Sequence, residues 1–503
     1  MKAIVIGAGI AGIGAAIRLQ CMGFETEVFE ANPFTGGKLS EIVQEGYRFD
    51  AGPSLFTLPE MVTDLFRLAG ENPEEHFPYI KLQTIAHYFF EDGTFIRAHA
   101  DPRAYANELA EKLGIDPNKI IRFLKASAEK YELTADIFLK TTLHRPQNFL
   151  RPALFKKVVK AIAHIGKLDF LRTMNQANQA MLQHPKLVQL FNRYATYNGS
   201  DPYRAPATLN VIPHLEHGIG AFFPKGGMHQ ISQSLVELAR GKGVRFYLQS
   251  PVSQIITQGI NGKKVATGVL VNHQLKQAEV IVCNMDVNNA YRQLLPHQKA
   301  PAKILNQPKS SSALIFYWGI KKTFPQLDLH NVFFSQNYQQ EFAHIFDKKT
   351  IYHDPTVYIN ITSKYKPDDA PQGCENWFVM INVPNNTGQN WDELIPQARE
   401  YIIAKLSRLL NISIAPLIAT EAVLDPRGIE QRTSSAMGAL YGNSSNNRYA
   451  AFLRHANFSN KIKNLYFCGG SVHPGGGIPL SLCSAKIVAD LVAEDFGIKI
   501  SKL

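Results

Sequence analysis

The stretch KAIVIGAGIAGIGAAIRLQCMGFETEVFE, residues 2–30, decides the fold. Ala3, Ile4, Val5 and Ile6 predict a short strand buried on both faces. Gly7, Gly9, Gly12 and Gly14 follow, then AAIRLQCMG with helical spacing that stops at Gly23, then a second strand, ETEVFE, ending in Glu30. A glycine turn between strand and helix lets the backbone approach a pyrophosphate, which then meets the unpaired N–H groups of the helix start. A carboxylate at Glu30, closing the second strand, is placed to accept from an adenosine ribose hydroxyl, which favours FAD or NAD over NADP. A glycine turn can also pack a helix on a sheet and bind nothing. The unbroken order of strand, glycine turn, helix, strand and acid favours a dinucleotide site.

Composition sets the bounds around that start. The chain has 503 residues, 45% hydrophobic and 19% charged, an ordinary globular balance with room for two or three domains. Lys and Arg number 53 against 42 Asp and Glu, so a formal charge of +11 calls for an anionic partner: nucleic acid, a phosphate-bearing ligand or an acidic membrane face. Cys21, Cys283, Cys374, Cys468 and Cys483 are widely spaced with no CxxC, which points to reduced thiols in a cytoplasmic setting. The apolar run from 3 to 17 is broken by glycine and is no secretory signal. No run reaches the roughly 18 residues of a membrane span.

Further along, Ala31-Asn-Pro-Phe-Thr-Gly36-Gly37-Lys38 is followed by Tyr47-Arg-Phe-Asp50-Ala-Gly52-Pro53-Ser54. Near the other end, NLYFCGGSVHPGGGIPLSLCSAKIVADLVAED (464–495) is a strand, a glycine-dense loop and an amphipathic helix with Pro479 near its start. Amides at such a helix start stabilise negative charge. Between them lie Phe223-Pro-Lys225-Gly-Gly-Met228, a strand VRFYL (244–248) leading to Pro251-Val252, and EVIVC (279–283) ending at Asn284.

These segments resemble the glutathione-reductase-type flavoproteins, in the branch of amine oxidases, protoporphyrinogen oxidase and phytoene-desaturase-type carotenoid oxidoreductases. HPGGGIP is similar to the flavin loop of carotenoid desaturases. GGKLSE with YRFDAGPSLFT is most similar to the bacterial hydroxycarotenoid 3,4-desaturase subgroup. The resemblance implies non-covalent FAD held by Gly7, Gly9, Ile10, Ala11, Gly12, Glu30, Ala31, Gly36, Gly37, Lys38, Gly52, Pro53, Ser54, Val252, Asn284, Gly470, Ser471, Gly477 and Ile478. The family usually carries Arg at the position of Lys38, whose ammonium keeps the charge and loses the bidentate fork. It also implies an α/β chain, α+β overall. A Rossmann-like FAD-binding domain is built from 1–79, 223–290 and 431–503, a mixed-sheet substrate domain from 80–100 and 291–430, and a helical membrane-facing part from 101–222.

In the inserted parts, SSALIFYWGI (311–320) and NWFVMINV (376–383) read as alternating strands of the substrate sheet, separated by Pro- and Asn-rich turns. Asp101-Pro102 starts a helix, with Leu109, Leu113, Ile120, Phe123 and Leu124 at helical spacing. The window from Arg145 to Arg172 carries seven Lys or Arg against one acid, Asp169. Leu154, Phe155, Val158, Val159, Ile162 and Ile165 share one helical face, and Lys156, Lys157, Lys160, His164 and Lys167 another. A basic amphipathic helix suits docking on anionic lipid; the other reading is a domain helix with a solvated basic face. No zinc-finger or RNP-like motif supports nucleic acid. His214 and His217 lack a third ligand in spacing, so no metal is expected. His473 is not expected to bond flavin covalently.

The resemblance implies an enzyme that removes hydrogen from adjacent carbons of a long isoprenoid, passing hydride to flavin N5. The 3,4-bond of a 1-hydroxycarotenoid is the first expectation and stepwise phytoene desaturation the second. A polyene spreads positive charge and acidifies the neighbouring proton, so no catalytic base is assigned. The expected location is cytoplasmic, peripheral on the inner face of the cell membrane. A flavin amine oxidase-like enzyme and a non-enzymatic prenyl-protein-binding relative are the readings from other classes.

Overall fold

The computed structural model describes residues 1–447, 449–450 and 453–499, so the last four residues of the expected third FAD segment lie outside it. Five parallel strands form the first sheet, in the order Leu465–Phe467, Val280–Cys283, Lys2–Ile6, Glu25–Phe29, Arg245–Tyr247. Ala3 faces Val280 on one side and Thr26 on the other. Ile10–Cys21, His229–Gly241 and Ile478–Phe496 cover one face of this sheet, with Ile13, Ile17, Leu235, Leu482 and Val488 in one core. An antiparallel sheet of Val252–Ile260, Lys263–Val271 and Gln274–Gln277, edged by Ile462–Lys463, closes the other through Ile255 and Val269. The strand ends at Ile6, Phe29 and Cys283 therefore open at one edge, where a doubly covered parallel sheet binds ligands.

A second sheet has seven strands, in the order Ile418–Leu424, Ser312–Ile320, Glu375–Val383, Val357–Asn360, His330–Phe333, Thr84–Phe89, Phe95–His99. It is mixed: His330–Phe333 runs parallel to Thr84–Phe89, and the other pairs are antiparallel. Ser312–Ile320 is buried at every position instead of alternating, because both of its faces are covered. On one side lies the helix Trp391–Leu409, through Trp391, Ala398, Ile402 and Leu406. On the other, Tyr47 and Phe49 pack on Ile315 and Tyr317. That helix corrects the expectation of strands and turns through 291–430. Pro396 inside it reads as a turn, yet it removes only one backbone donor while the apolar stripe holds the helix to the sheet.

Most of 102–219 is helical, and Phe222, the last residue of the expected helical part, already belongs to a short strand, Phe222–Pro224, paired with Tyr79–Lys81. Asp101 Oδ1 accepts from Ala104 N at 2.7 Å and starts Pro102–Leu113, and Asp116 caps Pro117–Phe138 after a left-handed Gly114. The spaced apolar residues Leu109 to Leu124 thus belong to two helices.

The single basic amphipathic helix expected from 145 to 172 is also corrected. The backbone divides into a tight turn at Pro146–Leu150, a helix Pro152–Ala163 and a further turn at Ile165–Leu168, with His164 breaking the helix. The helix packs on Pro117–Phe138 with Leu154 and Val158 half-buried and Ala161 buried. Phe155, Val159 and Ile162 face outward, 52%, 48% and 63% exposed. Five of the seven bases have acidic partners: Arg145 with Glu494 and Asp495, Arg151 with Glu494, Lys157 with Asp136, Lys167 with Glu129 and Arg172 with Asp169. Among the described residues no helix is long and apolar enough to cross a membrane.

Candidate functional site

Lys2–Ile6 ends at Gly7, whose N–H donates to Phe29 O at 2.8 Å and pins the turn across the second strand. Ile10–Cys21 then starts at Gly9 with no capping side chain and no acid in its first turn. Asp101, Asp116 and Asp425 do cap their helices, so here the first amides are left for an external anion. Gly12 faces the turn so closely that a Cβ would lie 2.1 Å from Gly7 O and 2.9 Å from Asn284 Oδ1. Asn284 ties three strand ends together, its N–H donating to Ile6 O at 2.8 Å and its Nδ2 to Cys468 O at 3.2 Å. Glu30 accepts from Ala8 N at 2.7 Å, Asn32 N at 2.9 Å and Asn32 Nδ2 at 2.8 Å. A carboxylate has about four acceptor sites, which leaves one for a ligand hydroxyl.

All the residues named from the sequence for the cofactor line one cavity of about 790 Å³, except Gly12, which sits behind the turn. Gly52 has carbonyl contact like that of Gly12: a Cβ there would lie 1.9 Å from Lys38 O. The Lys38 ammonium donates to Leu440 O at 2.8 Å, so it anchors a C-terminal loop to the Gly36-Gly37 turn. Burial lowers its pKa to about 8, with Asp286 opposing. Ser471 Oγ accepts from Val287 N at 3.0 Å and orders the loop. Gly477 precedes Ile478–Phe496, a second helix start with no capping side chain and no acid in its first turn. Two open helix starts, glycine walls and a free acceptor site at Glu30 fit a dinucleotide such as FAD.

Three other histidines have defined places. His473 does not line the cavity, and its Nε2 lies 2.9 Å from Thr141 O. His214 lies beside the Tyr131 ring, and His217 is buried with its ring stacked 4.6 Å from that of Tyr105.

Sequence reasoning missed Arg454 and the loop it holds. Its buried guanidinium lines the cavity and donates to Tyr441 O and Asn443 O, both at 3.2 Å. Burial alone lowers its pKa to about 10. Nothing local marks an arginine for this role, since its partners are backbone carbonyls of a distant loop.

Beyond the cradle the cavity runs between the helical part and the seven-stranded sheet. Phe138, Leu139, Phe170, Leu209 and Ile212 line one wall, and Ile85, Val332, Phe378 and Met380 the other. One polar cluster interrupts these walls. Arg193 donates to Tyr88 Oη at 2.8 Å and Tyr197 Oη at 2.9 Å, with Glu216 at 3.6 Å. Tyr194 and Tyr197 both donate to Glu216, and Tyr194 also meets His217 Nε2 at 3.1 Å. Nearby, Tyr358 Oη lies 2.8 Å from Ser54 Oγ and 2.7 Å from His330 Nδ1. Burial first, and the Arg193 charge second, lower His217 and His330 to about 3, so both rings are neutral.

The flavin containing amine oxidoreductase family model matches residues 10–493. The chain belongs to this family, and within it groups with the carotenoid desaturases. It is 53% identical over 491 residues to a 1-hydroxycarotenoid 3,4-desaturase of Flavobacterium sp. strain P99-3, covering 98% of this chain and 99% of the relative. It is 32% identical to a 4,4'-diapolycopene oxygenase of Methylomonas sp., with 98% of each covered. Cyclohexylamine oxidase from Brevibacterium oxydans superposes with a TM-score of 0.61 over 99% of both chains at 17% identity, which shows the shared fold.

Proposed function

We propose that this protein is an FAD-dependent desaturase that forms the 3,4-double bond of a 1-hydroxylated acyclic carotenoid while seated on a membrane surface. The observation that carries the reading is the continuity of one cavity from the glycine-walled cradle into walls of apolar and aromatic side chains. A long isoprenoid fits such walls; of the acids that line the cavity among the described residues, Glu30 and Asp286 lie with the cradle residues and Glu216 is already paired with Arg193, which leaves none there to receive a soluble amine. The 53% identity to a 1-hydroxycarotenoid 3,4-desaturase supports the same substrate class.

FAD, held by the cradle residues, supplies the hydride acceptor. The chain's own part is to bind, orient and exclude water. Phe378, Met380 and Val332 hold the polyene out of solvent, and aligning the reacting C–H bond is worth orders of magnitude in rate without a strong base. The exposed Phe155, Val159 and Ile162, flanked by exposed Lys156 and Lys160, support docking on anionic lipid at the cytoplasmic face, from which a lipid-dissolved substrate enters.

The test is purified protein in liposomes with a 1-hydroxylated carotenoid, with phytoene, or with soluble amines. The expected result is a yellow protein and a red shift of the hydroxylated carotenoid, with no peroxide released from amines. No spectral shift with any carotenoid overturns the proposal.

A further inference from the structure

A hydroxyl on carbon 1 is three bonds from carbon 3, at most about 4 Å at ordinary bond lengths. On the reading of the activity above, the residue that recognises this hydroxyl must therefore lie at the flavin-facing end of the substrate cavity. A buried polar chain starts there. Ser54, in the segment that walls the cradle, is joined through Tyr358 Oη to His330 Nδ1. His330 is 4% exposed and lines the cavity, and its Nε2 has no partner among the described residues.

The tautomer follows from the second neighbour of Nδ1. Asn360 Nδ2 is oriented by donating to Leu329 O at 3.0 Å, and it faces His330 Nδ1 at 3.3 Å. Two donors, Asn360 Nδ2 and Tyr358 Oη, thus converge on Nδ1, which is the acceptor. A neutral ring then carries its one proton on Nε2. Ser54 Oγ donates to Tyr358 Oη, Tyr358 Oη to His330 Nδ1, and Nε2–H is left as a buried donor without a partner. Arg193 and Glu216 line the same cavity, but they are bonded to the tyrosines around them.

We propose that His330 Nε2–H donates to the substrate's C1 hydroxyl oxygen, with Tyr358 and Asn360 as positioning residues, and that this bond selects hydroxylated over unhydroxylated carotenoids and sets which carbons react. A missing partner for a donor of this kind costs roughly ten- to hundredfold in binding.

The test uses the flavin-loaded protein in detergent micelles. It is titrated with a 1-hydroxylated acyclic carotenoid and, separately, with the parent lacking the hydroxyl. Binding is read by the circular dichroism that the achiral polyene acquires, and turnover by its red shift. Wild type is expected to bind the hydroxylated compound at least about tenfold tighter. His330→Phe brings the two within about twofold by weakening the hydroxylated compound alone, and raises its KM; His330→Gln, which keeps a donor, restores part of the preference. Tyr358→Phe, which leaves the imidazole in place, lowers the preference by a smaller factor and serves if His330→Phe fails to fold. A wild-type preference retained in His330→Phe overturns the proposal, as does a wild type with no preference. A wild type that prefers the hydroxylated compound but converts neither supports the binding role and overturns the activity reading instead.

Discussion

Gly12→Ala and Gly14→Ala place the same methyl group two residues apart on one helix, and the structure assigns them opposite outcomes. At Gly12 the new Cβ lies 2.1 Å from Gly7 O and 2.9 Å from Asn284 Oδ1. A carbon meets a carbonyl oxygen at about 3.3 Å, so the turn must open by roughly 1 Å. It cannot open freely, because Gly7 N is bonded to Phe29 O and Asn284 N to Ile6 O, both at 2.8 Å. A 1 Å displacement of positioning groups costs about a hundredfold, close to 2.7 kcal/mol of cofactor affinity. At Gly14 the Cβ meets only side chains, Leu482 Cδ2 at 3.0 Å and Ala485 Cβ at 3.4 Å. There the gain of roughly 0.5–1 kcal/mol from replacing a helical glycine offsets the tight contact. The assay is the ratio of flavin to protein absorbance after purification, followed by titration of the stripped proteins with FAD. Gly12→Ala is expected to purify pale and to bind about a hundredfold more weakly, while Gly14→Ala stays yellow with a melting temperature near wild type. Gly12→Ala that retains wild-type flavin stoichiometry and affinity would falsify the steric argument.

Replacing Phe155, Val159 and Ile162 together by Ser removes three half-exposed apolar groups worth about 1 kcal/mol each in a lipid interface, so partition onto anionic vesicles should fall about a hundredfold while flavin content is unchanged; sedimentation with vesicles checks this, and undiminished binding rejects the face. His217 and His330 are lowered to about 3 and His455 and His473 to about 4, each first by burial, so at about pH 5.5 the folded chain keeps all four neutral while the unfolded chain protonates them below about 6.5. Stability should therefore fall by about 5 kcal/mol from about pH 7 to about pH 5.5, less about 1 returned by Asp201, whose carboxyl burial raises to about 6. Denaturant midpoints at the two pH values test this, and a chain as stable at the lower pH contradicts it.

How much of this could be read from the chain depends on whether each feature is local. The cradle is local: Gly7 to Gly12, Gly36 to Lys38 and Gly52 to Ser54 are short runs whose residue types serve one turn each, and the two open helix starts, at Ile10 and Ile478, each directly follow a glycine, Gly9 and Gly477. The proposed hydroxyl-facing end is not. Ser54, Arg193, Glu216, His330 and Tyr358 are single polar residues in apolar surroundings; His330 and Tyr358 meet because His330–Phe333 pairs with Val357–Asn360, Arg193 joins through Tyr88 on the neighbouring Thr84–Phe89, and Ser54 comes in from a separate loop. No spacing rule connects them.

Charge shows the same divide between local and tertiary information, and it changes what the proposed membrane face is made of. The window from 145 to 172 holds seven bases and one acid, but Glu494, Asp495, Asp136 and Glu129, distant in sequence, fold against four of those bases, and Asp169 takes a fifth. Only Lys156 and Lys160 remain without an acidic partner among the described residues. The surplus of +11 is thus not concentrated there, and the attraction to anionic lipid is that of two lysines, about 1 kcal/mol each near the surface and screened by salt. The three outward apolar side chains supply a term of at least equal size that salt does not screen. Their exposure is also what a solvated domain helix would avoid, since Leu154, Val158 and Ala161 already satisfy the inward face. The proposed membrane face therefore rests first on Phe155, Val159 and Ile162 and only second on the two lysines beside them.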